Sequence, residues 1–359
     1  MRKKMLVAAV ASSALVLTAP LPAAAGGHHG APKVTVVNQS VLMPYSLAVS
    51  KKGLFVADGA TSQVSRVVGS SLKLVSEGPQ PGEVAGLDLS KSGRYLAYTY
   101  QSYTDGASGL KIVGPRGSSV TADLSTYEQT VNPDRKVHYG VDNPTQCQID
   151  AFASIPDGPP ATYTGIVESH PYAVASYGNK WIVADAAGND LLKVDRKGRI
   201  STLAVLPRQP LKITAAIAGG LGLPDCVVGV TYNFESVPTD VEVGRDGWLY
   251  VSALAGGPED PSFGARSKVY RVNPWTGQAK AIGTGIAGAT NLALKDGKIY
   301  VTEFYTGKIS VLKNGKPKPY VELPGALSVE AAKEGLWAGT TVFGPNGPAG
   351  SIVKITSRH

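Results

Sequence analysis

Two tyrosines follow prolines at the head of short apolar strings, in Pro44-Tyr45-Ser46-Leu47 and in His170-Pro171-Tyr172-Ala173-Val174, the second just after a histidine. A phenol beside an imidazole can stack on a ligand and exchange hydrogen bonds with it, and the imidazole can move a proton near neutral pH. Asp240 and Asn291 stand near the head of similar strings, while Asp58, Asp185 and Glu303 close them. Brought together from several strands, such oxygens suit a hard cation or a polar ligand; one at a time, acids at strand ends commonly accept backbone N–H groups of turns. His138 is a further candidate base. His28 and His29, in Gly26-Gly27-His28-His29-Gly30, suit weak copper or zinc binding, although the setting reads as a flexible tail. No nucleophile accompanies these groups in a GxSxG elbow, and there is no P-loop and no GxGxxG opening a helix.

What would position these residues is a phrase the chain repeats six times: a short apolar strand, a tight turn usually ending in Gly, and a second strand with an aromatic near its start. The copies begin at Leu47-Ala48-Val49, Leu87-Asp88-Leu89, Val174-Ala175-Ser176, Val241-Glu242-Val243, Leu292-Ala293-Leu294 and Val329-Glu330-Ala331. Asp246-Gly247 and Asp296-Gly297 supply the positive φ of a two-residue hairpin. Most copies continue into a second hairpin, so the unit has four strands. The sixth copy ends after Ser351 to Thr356, one strand short, while Val34-Thr35-Val36-Val37 stands alone before the first. The expected fold is therefore all-β, a six-bladed β-propeller over 34–359 whose N-terminal strand closes the last blade and leaves no open edge. A sandwich or an open solenoid would account for the turn spacing but not for these complementary ends.

At 359 residues the chain can bury one large all-β unit, and 42 glycines suit strands and turns. Arg2-Lys3-Lys4, the apolar run from Met5 to Leu17 and Ala23-Ala24-Ala25 read as a secretory signal over 1–25, followed by a tail over 26–33. The mature protein is thus expected outside the cell, and no other stretch is long and apolar enough to span a bilayer. Removing three basic residues leaves 32 Lys and Arg against 27 acids, a net charge of +5. The basic residues are scattered through turns, which argues for a solvated surface and against nucleic-acid binding. Cys147 and Cys226 both enter an oxidising compartment and are expected to pair; they lack the CxxC spacing of a redox or zinc site.

Two intervals between repeats are too long for one blade. The segments of about 124–169 and 207–237 read as insertions, the first with a short helix over Asp123 to Asn132 in which Ser125 and Glu128 have capping-box spacing, the second with an apolar stretch from Ala215 to Leu223. Both should emerge on the face bearing the funnel entrance, as a cap or as padding over blade edges.

The string Ala122-Asp123-Leu124-Ser125-Thr126-Tyr127-Glu128, followed by Asn132-Pro133-Asp134, Asp142-Asn143-Pro144, His170-Pro171-Tyr172 and Val183-Ala184-Asp185-Ala186-Ala187-Gly188-Asn189, resembles the ScyD/ScyE family of exported propellers. The resemblance runs from about Val34 to the end. The family is named after genes of scytonemin pigment biosynthesis and is similar to NHL-repeat and strictosidine-synthase-like propellers. It implies fold and export rather than chemistry.

Gluconolactonase-type hydrolases on this fold hold a divalent cation with a Glu, an Asn and an Asp at blade starts. Here the equivalent positions carry Tyr45, Tyr172, Thr239 and Thr290, and strand alternation turns Asp240 and Asn291 the other way. The leading expectation is therefore a monomer that binds a small molecule or an envelope protein at the funnel face through Tyr45, His170, Tyr172, Asp240, Asn291 and Glu303. No metal ligands are assigned, and a divalent cation such as calcium is the one cofactor considered. The alternatives are a metal-assisted, lactonase-like hydrolase or a secondary-metabolite tailoring enzyme, and a cell-envelope interaction module.

Overall fold

The computed structural model describes residues 31–156, 158–258 and 261–357. The expected signal, with His28 and His29, lies outside the described residues.

The strands gather into seven four-stranded antiparallel sheets, six of which are the repeats. Blade one covers 44–77, blade two 82–123, blade three 171–205, blade four 236–286 and blade five 292–322. Blade six covers 326–356 and takes Lys33–Asn38 as its outermost strand. That strand pairs antiparallel with Gly347–Thr356, Val34 opposite Ile355 and Val36 opposite Val353. The first strand of each blade is innermost, and these six strands touch in sequence round a closed ring, blade six against blade one. This is the propeller expected from the repeat.

The continuous apolar runs follow from burial on both sheet faces. In Lys180–Asp185, Ile182 and Ala184 pack on one side with Val241 and Val251 of blade four, while Trp181 and Val183 pack on the other with Leu110 and Ile112 of blade two. Alternate residues of one strand thus enter two inter-blade cores. Truncating Ile182, which is fully buried, to Ala would cost about 2–5 kcal/mol.

The seventh sheet is an addition to the expected picture. Both insertions contribute to it, in the order Thr162–Thr164, His138–Val141, Thr231–Phe234, Gln209–Lys212. They carry three helices, α1 (Leu124–Val131), α2 (Gln146–Ala153) and α3 (Ala215–Gly220). Phe152, Ile213, Ala218, Val227, Tyr232 and Phe234 form a separate core for this unit, so the apolar stretch around α3 packs there and does not plug the funnel. Cys147, on α2, is disulfide-bonded to Cys226 in the turn Asp225–Val227, tying the two insertions together. Helix α1 falls where expected, but its N-cap is Asp123, which accepts the Thr126 N–H; the Ser125 and Glu128 capping box does not form. The box fails because the helix starts one residue before Ser125, which leaves Asp123 in the N-cap position.

Candidate functional site

The innermost strands break register at one place, between Pro44 and Ser46, Pro171 and Ala173, Pro238 and Asp240, and Ala326 and Ser328. Such a bulge re-aims the side chains beside it. Tyr45 and Tyr172 occupy bulge positions of blades one and three, and their rings meet at the funnel mouth with centroids 5.3 Å apart. Gly59 makes room for Tyr45, since a Cβ there would lie 2.1 Å from its ring.

His170 stands edge-on to Tyr172 at 5.9 Å. Its Nε2 is hydrogen-bonded to Oε1 of Glu83 from blade two, while the Tyr103 hydroxyl donates to Glu83 Oε2 at 2.7 Å. Burial pushes the Glu83 carboxyl up, but the hydrogen bond and charge of His170 outweigh it and the net shift is downward. Burial likewise pushes the His170 imidazole down, and its bond to Glu83 carries it net above the ordinary range. The pair is therefore ionic over a wider range of pH than either group alone. Three blades thus place aromatic rings, a cation and a carboxylate in one cluster.

Below the mouth, Asp240 and Asn291 line a cavity on the propeller axis, together with Ser46, Asp88, Glu242 and Glu330. The bulge beside Asp240 defeats the simple alternation that would have turned it away. Three of these side chains also stitch one innermost strand to the next: Asp88 Oδ2 accepts the Ser176 N–H at 2.7 Å, Asp240 Oδ2 the Leu292 N–H at 2.9 Å, and Asn291 Oδ1 the Val329 N–H at 2.8 Å. The axial acids Asp88, Glu242 and Glu330 were not among the expected site residues. The signal for them was present in the repeat, whose middle position reads Ala48, Asp88, Ala175, Glu242, Ala293, Glu330, alternately alanine and acid. Burial is the main cause of the upward shift of all four axial carboxyls, Asp88 to about 6 and Asp240 to about 7, with Glu242 and Glu330 raised further by their like-charged neighbours. The cavity measures about 10 Å³, the scale of one water molecule, and is too small for a metabolite.

Glu303 lies elsewhere. Its Oε2 accepts the Ala287 N–H at 3.0 Å and its Oε1 the Ser310 hydroxyl, inside blade five. Asp58 similarly accepts the N–H groups of Leu42, Met43 and Ala60, and Asp185 those of His170 and Gly188. His138 lies in the insertion sheet, in contact with Thr162 and Asp142.

No family model matches the chain, and no curated protein matches it. Solved structures do. The PQQ-bound aldose sugar dehydrogenase of Streptomyces coelicolor aligns over 90% of this chain and 98% of its own, at 12% identity and a TM-score of 0.52. A protein of unknown function from Bacteroides thetaiotaomicron aligns over 91% and 76%, at 10% identity and a TM-score of 0.55. A gluconolactonase from Xanthomonas campestris aligns over 95% and 99%, at 11% identity and a TM-score of 0.42. At these identities the first two establish a shared β-propeller fold, and the third adds nothing to it. Among the described residues no helix is long and apolar enough to cross a membrane.

Proposed function

We propose that this protein is an exported, monomeric propeller of the ScyD/ScyE type that binds a small ligand at the funnel mouth. The observation that carries this reading is the convergence of Tyr45, Glu83, His170 and Tyr172 from three blades, partly exposed rings beside an ion pair whose carboxylate is buried and whose imidazole is 29% exposed. The ligand class that matches has one flat face, an aromatic or sugar ring to lie on the tyrosines, and a polar edge to meet His170. The disulfide supports an oxidising compartment, and the string from Ala122 to Asp134 supports the family.

A thermal-shift screen of aldoses, aromatic acids and phenols against the mature chain from Gly26 tests it. Hits should be lost in Tyr172→Ala and His170→Ala and kept in Glu242→Gln. Hits that survive both mouth substitutions would sink the reading, and capture of one envelope protein insensitive to them would replace it with an interaction module.

A further inference from the structure

The base of the propeller, opposite the funnel mouth, takes no part in the site above, yet the fold concentrates charge there. The innermost strands start at the mouth, where Tyr45 and Tyr172 meet, and the strands of each blade are antiparallel. The inner turn, joining first to second strand, and the outer turn, joining third to fourth, therefore both fall at the base. Contacts between turns bear this out. Arg196, in the outer turn of blade three, donates to Asn179 Oδ1 of the inner turn at 2.9 Å and lies 5.1 Å from the centre of the Tyr95 ring, beside the inner turn of blade two. Lys295 Nζ of blade five reaches the Ala332 carbonyl of blade six at 2.8 Å.

This topology gathers the basic residues that are scattered along the sequence. Every inner turn carries an exposed one: Lys51, Lys91, Lys180, Arg245, Lys298 and Lys333, in blades one to six. Counted with one strand residue on each side, the inner turns are 50–53, 89–96, 177–180, 243–249, 295–298 and 332–335, and the outer turns 68–71, 113–119, 195–200, 272–279 and 313–316. Together they hold fifteen Lys and Arg against four acids. All four acids are engaged, Asp195 with Arg199, Asp246 with Arg271, Asp296 with Lys295 and Glu334 with Lys354. None of the six inner-turn bases stands in an ion pair among the described residues. The two insertions, on the opposite face, carry eight acids against four bases. The molecule is thus polarised along its axis, positive at the base.

Trp275 stands on the same face, in the outer turn of blade four. It is 70% exposed, the most exposed large apolar side chain described. Asn273 Oδ1 accepts the N–H groups of Trp275 and Thr276 and fixes the turn that presents it. Neither feature serves the fold, because like charges gathered on one face repel and an indole in water gains nothing from burial. A nucleic acid is met by a basic stripe or groove, whereas these cations ring the propeller axis. A flat anionic leaflet meets all the turns at once. Each Lys or Arg brought against such a leaflet strengthens binding about fivefold, and a Trp ring settles at the headgroup level.

We propose that the base of the propeller docks flat on an anionic phospholipid surface with Trp275 set into the headgroups. The funnel mouth then faces away from the membrane and stays open, whatever it binds.

The test is sedimentation of the oxidised mature chain from Gly26 with lipid vesicles. The chain should pellet with equal parts of phosphatidylcholine and phosphatidylglycerol and stay in solution with phosphatidylcholine alone. It should come off as salt rises from about 0.1 to 1 M. Reversing Lys51→Glu, Lys91→Glu and Lys298→Glu together should lower the partition by at least about a hundredfold. Lys136→Glu with Lys212→Glu, on the insertions, should lower it far less. Trp275→Ala should weaken binding severalfold and abolish the blue shift of tryptophan emission on adding anionic vesicles. This variant decides the matter should the triple reversal fail to fold. A chain that ignores anionic vesicles would overturn the proposal, as would equal losses from the two sets of reversals or a blue shift that survives Trp275→Ala. Tighter binding to duplex DNA or heparin than to the vesicles would replace the membrane with a soluble polyanion.

Discussion

The Ser328 hydroxyl donates to the carbonyl of Pro44 at 2.6 Å, joining residues 284 apart in the chain. Thr341 makes the same kind of link to Leu42 at 3.0 Å. Blades six and one are therefore held together at the innermost strands as well as by the outermost strand Lys33–Asn38.

Ring closure can be tested from both sides. Ser328→Ala leaves the Pro44 carbonyl without its donor and should cost about 1–3 kcal/mol by denaturant titration. Deleting residues 33–38 exposes the edge of Gly347–Thr356 to other chains. That variant should melt well below wild type and elute as aggregate on gel filtration; a monomer of unchanged Tm would show that the closing strand is dispensable.

The Glu83–His170 pair gives stability a definite pH window. Glu83 is shifted below its ordinary 4.5, so its contribution is complete above that value and is lost as pH falls through the lowered folded value. His170 is shifted above its ordinary 6.5, so its contribution is complete below that value and is lost as pH rises through the raised folded value. The pair should therefore stabilise most between pH 4.5 and 6.5. His170→Gln, which strands Glu83, should cost on the order of 2 kcal/mol in that window, and its Tm deficit should narrow on either side. A deficit independent of pH would mean that packing, and not charge, holds His170.

The axial acids should act with the opposite sign. Asp88 and Asp240 are raised to about 6 and 7, so the folded state binds more protons than the unfolded one between their ordinary values and these, and stability falls as pH rises across that range. Glu242→Gln removes one of the crowded charges and should raise Tm at pH 8 by an amount equivalent to about 1 kcal/mol, with little effect at pH 4. A lower Tm at pH 8 would show that the ionised carboxylate is compensated.

Reducing the Cys147–Cys226 bond, whose partners are 79 residues apart, should cost about 4 kcal/mol in the chain-entropy model. The loss should fall on the insertion unit, because its core is separate from those between blades. Hydrogen exchange after reduction should accelerate at Tyr139 and Tyr232 while Ile182 and Val251 stay protected; uniform acceleration would mean that blades and insertions unfold together.

What the sequence alone determined is what a few neighbouring residues can encode. Alternating apolar runs, Asp-Gly turns and their sixfold recurrence specified the blades, and the orphan strand at Val34 matched a last blade one strand short. The short helix and the pairing of the two cysteines were legible in the same way. Tertiary structure decided the rest. The seventh sheet joins Gly140 to Asn233, 93 residues apart, and no local pattern announces a partner at that distance. The bulges at Tyr45, Tyr172 and Thr239 shift the strands by one residue, which turned Asp240 onto the axis and set two tyrosines from different blades against each other at a tilt of 49°. Asp190 reads in the sequence as an ordinary polar residue opening a strand; only packing beneath helix α1 buries it against Glu128 and Asp134, and burial is what makes an unpaired oxygen expensive.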